Sequence, residues 1–310
     1  MSMAPANVGV METAAPVDDA DVPRYSRELG LPGLVDSHVH FLPPRVEAKV
    51  WQYFANGTAN YGVEWPLAYA RPIEERLAIL QRLGVRAFPT LPYPHKPGMA
   101  AWLNGWSAEF AAAHPRVLRS ATFYPEPEAA DYVADALEAG ARIFKVHVQV
   151  GRYDPRDPLL DAVWARLEQA GSPIVIHCGS GPLRGEHTGP VPVTGLLERY
   201  PRLQLVIAHL GMPEYRDFLD LAERYERVHL DTTMFATDFT QALMPFDPAD
   251  LPRLGALRDK VLLGSDFPSI PYPYAHQLQA LHRLDLGEDW LRAVLWHNGA
   301  RLFGLAEGGH

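Results

Sequence analysis

The chain has 310 residues, 47% hydrophobic and 21% charged, with 28 Lys and Arg against 37 Asp and Glu for a net charge of −9. This is an ordinary globular composition. The lack of any Lys/Arg-rich run excludes a nucleic-acid surface, and no apolar stretch approaches the ~20 residues that would cross a bilayer. The single cysteine, Cys178, excludes an intramolecular disulfide and fits a reducing cytoplasm.

Residues 1–30 are rich in Ala, Pro, Val and Asp without periodicity, and are expected to form a mostly extended arm lying on the body or on a partner. They lack the basic stretch and apolar segment of a signal peptide, so a cytoplasmic protein is the expectation. Residues 31–310 then read as one catalytic domain. Short Val/Ile/Leu-rich runs fall at 33–40, 85–91, 117–124, 142–148, 173–178, 203–210, 227–232 and 260–266. Between them, helical spacing predicts helices over 73–83, 98–113, 128–139, 159–170, 194–200, 214–225, 251–257 and 275–284, with a closing helix over 290–303. Gly84, Gly140 and Gly171 follow predicted helices as stop signals.

The runs are continuously apolar, as parallel strands covered by helices require. Eight β-then-α units predict a distorted (β/α)8 TIM barrel, a fold that commonly takes ~250 residues as one domain. Two connections are long. Residues 41–71 are rich in aromatics (Trp51, Tyr53, Phe54, Tyr61, Trp65, Tyr69), and residues 234–250 form the second. Both follow strand C-termini, where long loops cover an active site or pack as a satellite hydrophobic cluster.

The chemistry concentrates at the ends of the runs. His38 and His40 lie two apart in the first, so they project from one face. His177, His209 and Asp266 end or nearly end three later runs. In a (β/α)8 barrel all strand C-termini open onto one mouth, so these five residues would converge there. Alone, each has a plainer role: a lone His is a hydrogen-bonded rim residue, and Asp266 a helix cap. Together, imidazoles and a carboxylate at an open site describe a catalytic divalent metal centre, zinc first, with manganese, iron or cobalt compatible. Such an ion lowers the pKa of water from 15.7 to about 7.

The segments Val35-Asp36-Ser37-His38-Val39-His40, Val175-Ile176-His177, Ile207-Ala208-His209-Leu210-Gly211 and Leu263-Gly264-Ser265-Asp266-Phe267-Pro268 resemble the amidohydrolase superfamily. More narrowly the chain is similar to the amidohydrolase-2 branch, which includes the aminocarboxymuconate semialdehyde decarboxylase-like enzymes. Asn298-Gly299-Ala300-Arg301-Leu302-Phe303 resembles that branch's closing helix. The resemblance implies one metal ion held by His38, His40 and His177, with Asp266 as a ligand or as the holder of the activated water. It implies His209 as the proton-transfer or electrophilic residue. Binuclear relatives use a carboxylated lysine on strand four as a bridging ligand, and Lys145 lies on that strand. In the mononuclear branch favoured here, Lys145 and His147 share a strand face without a bridging role.

The activity this implies is hydrolysis of a lactone, ester or amide of a small organic acid through metal-activated water, with His209 and Asp266 as catalytic residues. The alternative is decarboxylation of an unsaturated or aromatic acid, which the continuation Phe41-Leu42-Pro43 also resembles. A third, remote reading is a non-catalytic, metal-stabilised binding barrel. Arg184 and His187, in the loop after the fifth run, are expected to bind a substrate carboxylate, together with Lys145 and His147; Arg45 and Arg71 are alternatives. Relatives are frequently dimeric, so a homodimer acting on a small-molecule substrate is the expectation. Cys178 is read as a small buried hydrophobe, and no nucleotide-binding motif occurs.

Overall fold

A computed structural model describes residues 13–305. The strands are β1 (Leu34–Val35), β2 (Val85–Pro89), β3 (Val117–Leu118), β4 (Ser120–Thr122), β5 (Ile143–His147), β6 (Ile174–His177), β7 (Leu205–Ile207), β8 (Val228–Asp231) and β9 (Val261–Leu262). All pair in parallel, as β1-β2-β3 and β4-β5-β6-β7-β8-β9. Only Arg119 separates β3 from β4, and its carbonyl accepts from Arg142 N at 2.8 Å. The pair is therefore one interrupted barrel strand, which makes eight in all.

First and last strands meet through backbone hydrogen bonds. Ser37 N donates to Leu263 O (2.8 Å), Asp266 N to His38 O (2.9 Å) and His40 N to Phe267 O (2.7 Å). The buried Asp36 carboxylate adds a tie, accepting from Ser265 N at 3.1 Å and from the Tyr274 hydroxyl at 2.8 Å. The strands β6 and β7 are buried along their whole length, as a sheet with both faces covered must be.

Helices form where one stripe is apolar. In Tyr215–Arg224 the buried residues are Tyr215, Phe218, Leu219, Leu221 and Ala222, and the charged side chains face out. Gly211 sits just ahead of this helix at φ +74°, and a Cβ there would come within 1.9 Å of the Phe218 ring. Only glycine allows both that backbone and that approach.

Several boundaries differ from the sequence reading. The helix expected over 194–200 spans Pro190–Arg199, because Pro190 occupies the first helical turn, where a missing N–H costs nothing. The run 203–210 leaves the sheet at Ile207, and His209 and Leu210 turn at φ +56° and +50°. The long connections are not bare loops. Residues 41–71 contain helices Pro44–Ala55 and Gly57–Tyr61, and residues 234–250 contain Asp238–Leu243.

The arm also departs from an extended chain in its described part. It carries the helix Val22–Glu28, whose Val22 and Tyr25 are fully buried. It is tied to the body by Asp19, which accepts from Tyr69 and from Ala275 N, and by Pro16 O, which accepts from Gln279. Residues 1–12 of the expected arm lie outside the described residues.

Candidate metal centre and its cavity

His38 and His40 stand at the end of the first barrel strand, with ring centroids 5.1 Å apart. Asp266 reaches them from the turn after β9. Its Oδ1 lies 3.1 Å from His40 Nε2 and 3.7 Å from His38 Nε2. One donor atom from each of the three residues lies within 4.8 Å of the others. Gly264 permits this crowding, since a Cβ there would meet His38 Cβ at 2.9 Å and Thr233 Oγ1 at 2.2 Å.

The outward nitrogens are fixed by partners behind them. His38 Nδ1 is 2.8 Å from Asp231 Oδ2, and His40 Nδ1 is 3.0 Å from the Leu91 carbonyl. Both partners are acceptors, so each Nδ1 carries the hydrogen and each Nε2 keeps its lone pair toward Asp266. Burial, with Lys145 nearby, lowers the His38 pKa to about 4 and keeps the ring neutral. Burial alone would raise Asp266, but the close approach of His40, with the His38 and His209 rings beside it, holds it well below the usual carboxylate range. Two lone-pair imidazole nitrogens and an ionised carboxylate, facing one point, fit a divalent metal ion.

The remaining expected residues ring this cluster. His209 lies with its ring centroid 5.3 Å from His38 and 4.7 Å from His177. Its backbone N donates to Asp231 Oδ1 at 2.8 Å, which pins the left-handed turn. Its Nδ1 is buried without a hydrogen-bond partner among the described residues, and burial lowers its pKa to about 4. His177 stands apart from the three-residue cluster: its Nε2 faces the Gly181 carbonyl at 3.1 Å, leaving Nδ1 as its lone-pair nitrogen. The β5–β6 register places His147 opposite His177, and their rings stack at 3.9 Å. Lys145 is fully buried with Nζ 3.1 Å from His38 Nε2, and burial lowers its pKa to about 8.

These groups form the floor of a cavity of about 950 Å³. Its upper walls include Tyr53, Tyr61 and Trp65 from residues 41–71 and Phe239 and Met244 from residues 234–250. The two segments touch where Trp65 meets Phe239 at 4.8 Å, and Trp65 Nε1 donates to Ser269 O at 2.8 Å. The aromatic connection is thus a cover for the site and a packed cluster at once.

Two expectations need correction. Arg184 and His187 are not part of the cavity wall. Their loop folds back on itself through Thr188 and through Gly189 N, which donates to Cys178 O at 2.7 Å; Arg184 is left exposed and His187 lies 3.9 Å from Asp154. Arg71 is also outside the wall, whereas Arg45 lines it. Cys178 is buried in the core, as expected.

The sequence reading missed Asp231. It ends an apolar run, Val228-His229-Leu230-Asp231, just as the histidines do, so the strand-end rule itself could have found it. Burial would raise its pKa, but attraction and a hydrogen bond from His38 outweigh that and hold it well below the carboxylate range.

Comparisons with known proteins agree with this geometry. A family model described as "Amidohydrolase" matches residues 35–305. An uncharacterized TIM-barrel protein from Bordetella bronchiseptica is 20% identical, with 88% of this chain and 98% of that one covered at a TM-score of 0.69. A 5-carboxyvanillate decarboxylase from Novosphingobium aromaticivorans, complexed with manganese and 4-hydroxy-3-methoxy-5-nitrobenzoic acid, is 18% identical (88% and 96% covered, TM-score 0.56). A probable 2-pyrone-4,6-dicarboxylic acid hydrolase from Acinetobacter baumannii with citric acid bound is 15% identical (88% and 100% covered, TM-score 0.59). No curated protein matches the sequence. With the family model spanning nearly the whole barrel and the histidines and aspartate gathered at its mouth, this chain belongs to the amidohydrolase-2 family.

Proposed function

We propose that the protein is a metal-dependent hydrolase of a small organic acid, opening a lactone, ester or amide bond. The observation that carries this is the convergence of donor atoms of His38, His40 and Asp266 within 4.8 Å, beside a buried His209 nitrogen without a partner among the described residues. His38, His40 and Asp266 would hold one divalent ion, zinc or manganese, with His177 Nδ1 as a further donor. When bound, the ion supplies Lewis acidity and makes water a nucleophile at neutral pH.

The residues of the chain do the rest. Asp231 and the Leu91 carbonyl keep His38 and His40 in the ligating tautomer. Asp266, ionised at rest, takes up the proton released on attack and passes it on to the leaving group, which returns it to the ionised form. His209, neutral because it is buried, donates a hydrogen bond to the substrate carbonyl as negative charge develops there. The aromatic cover excludes bulk water and strengthens each of these contacts.

A second reading is decarboxylation of an aromatic or unsaturated acid on the same cluster. The aromatic walls favour it, and a decarboxylase shares the fold. In that case a proton taken up from solvent would be passed by Asp266 or His209 to the carbon that CO2 leaves.

Metal content, measured by plasma mass spectrometry on protein purified without chelator, is expected at about one ion per chain. His38→Ala should lose metal and turnover together. His209→Asn should keep the metal and lose turnover by about 10²-fold or more. Label from oxygen-18 water in the product establishes hydrolysis, and CO2 release without label establishes the second reading. Protein that takes up no ion after incubation with zinc or manganese would overturn both.

A further inference from the structure

The cavity has a buried floor and a charged, exposed rim. His38 and Lys145 at the bottom are 1% and 0% exposed. At the top, Arg45 and Lys49 lie four residues apart on the helix Pro44–Ala55 and so share a face, Lys96 follows β2, and Arg152 follows β5. All four line the cavity and all four are exposed. The neighbouring Arg76 and Arg156 are paired with Glu47 and Asp154. Arg45, Lys49, Lys96 and Arg152, in contrast, have no carboxylate partner and no side-chain hydrogen bond among the described residues. Asp266, committed to the floor, is the one carboxylate in the wall among the described residues.

The same rim exposes large apolar groups. Trp102 is 51%, Tyr53 46% and Leu243 41% exposed, and each lines the cavity. Like charges gathered without counterions repel one another, and exposed aromatic surface is costly in water. A ligand with an apolar body and an anionic end relieves both. The volume of about 950 Å³ lies at the upper end of the range of ~300–1,000 Å³ that holds drug-sized ligands. A one-ring acid at the floor would leave the rim unused.

We propose that the substrate is an elongated acid carrying at least two negative charges. Its reacting group sits at the His38–His40–Asp266 floor, its apolar body lies along Tyr53 and Trp102, and a second carboxylate is held at the rim by Arg45, Lys49, Lys96 and Arg152. This rests on the cavity being the active site, as argued above.

Calorimetric titration of the metal-loaded protein at low salt tests it with three probes: biphenyl-4-carboxylate, biphenyl-4,4′-dicarboxylate and isophthalate. The biphenyl dicarboxylate is expected to bind about tenfold more tightly than either of the others. That ratio should fall toward one in the Lys49→Gln/Arg152→Gln double variant, and also at about 0.5 M salt, where screening is strong. Both side chains are exposed, so thermal unfolding serves as the folding control. Equal affinity for the mono- and dicarboxylate, isophthalate binding as tightly as the biphenyl diacid, or an unchanged ratio in the double variant would each overturn the proposal. The readout is binding, so it stands apart from the assignment of the reaction: a protein without turnover can still show the ratio, and an active one can lack it.

Discussion

Asp231 touches no solvent, yet it holds two parts of the site in place. One oxygen accepts from His38 Nδ1 and the other from the backbone of His209 and Thr233. A carboxylate behind a ligating histidine sets its tautomer and raises its basicity. Asp231→Asn keeps the shape but loses the charge, and an amide can present its NH2 to His38 Nδ1 and favour the wrong tautomer. Metal affinity is expected to fall about 10- to 100-fold, measured by competition with a chromophoric chelator. Unchanged affinity would mean that His38 is oriented by packing alone.

At the scale of elements, the helix Pro44–Ala55 matters most, because it carries Arg45, Lys49 and Tyr53 to the rim. Its anchor is a buried ion pair. Arg76, on the helix Ile73–Arg82, donates from Nη2 to Glu47 Oε2 at 2.6 Å and from Nε to Arg71 O at 2.9 Å. The guanidinium also lies 4.7 Å from the Phe41 ring and 5.3 Å from Trp51. Replacing one partner of a buried pair strands the other charge, at a cost of about 3–5 kcal/mol. Arg76→Ala should therefore lower the urea midpoint substantially and loosen the mouth helix, raising its amide exchange above that of the barrel strands. A double Arg76→Met/Glu47→Leu variant should recover much of the stability.

At the scale of the whole molecule, four neutral histidines, His38, His177 and His209 buried and His147 half-buried, meet at one end of the barrel. Burial lowers His38 and His209 to about 4 and pushes His147 and His177 well below their ordinary value. In the unfolded chain each takes up a proton near 6.5. Their stabilisation is thus present above about pH 6.5 and lost as pH falls toward 4. Asp36 acts in the opposite sense: burial raises it to about 7, so it favours the folded state at low pH and loses that contribution as pH rises from about 4 to 7. The histidines outnumber it. Stability of chelator-treated protein should fall on acidification across this window, by about 1.4 kcal/mol per pH unit for each histidine not offset. Denaturant unfolding at several pH values checks this, and a flat profile would mean that the histidines are already charged in the fold.

The sequence alone determined the alternation of apolar runs and amphipathic helices, and with it the barrel. It also placed His38, His40, His177, His209 and Asp266 at strand ends, because strand direction is a local property and a parallel barrel sends every strand end to one mouth. The tertiary structure decided what local pattern cannot encode. The mouth-loop side chains that line the cavity depend on how those loops fold, so Arg184 and His187 turned away while Arg45, Lys49, Lys96 and Arg152 turned in. The stack of His147 on His177 follows from the register between two strands. The support of His38 by Asp231 joins residues 193 positions apart, a contact that only the closed barrel brings about.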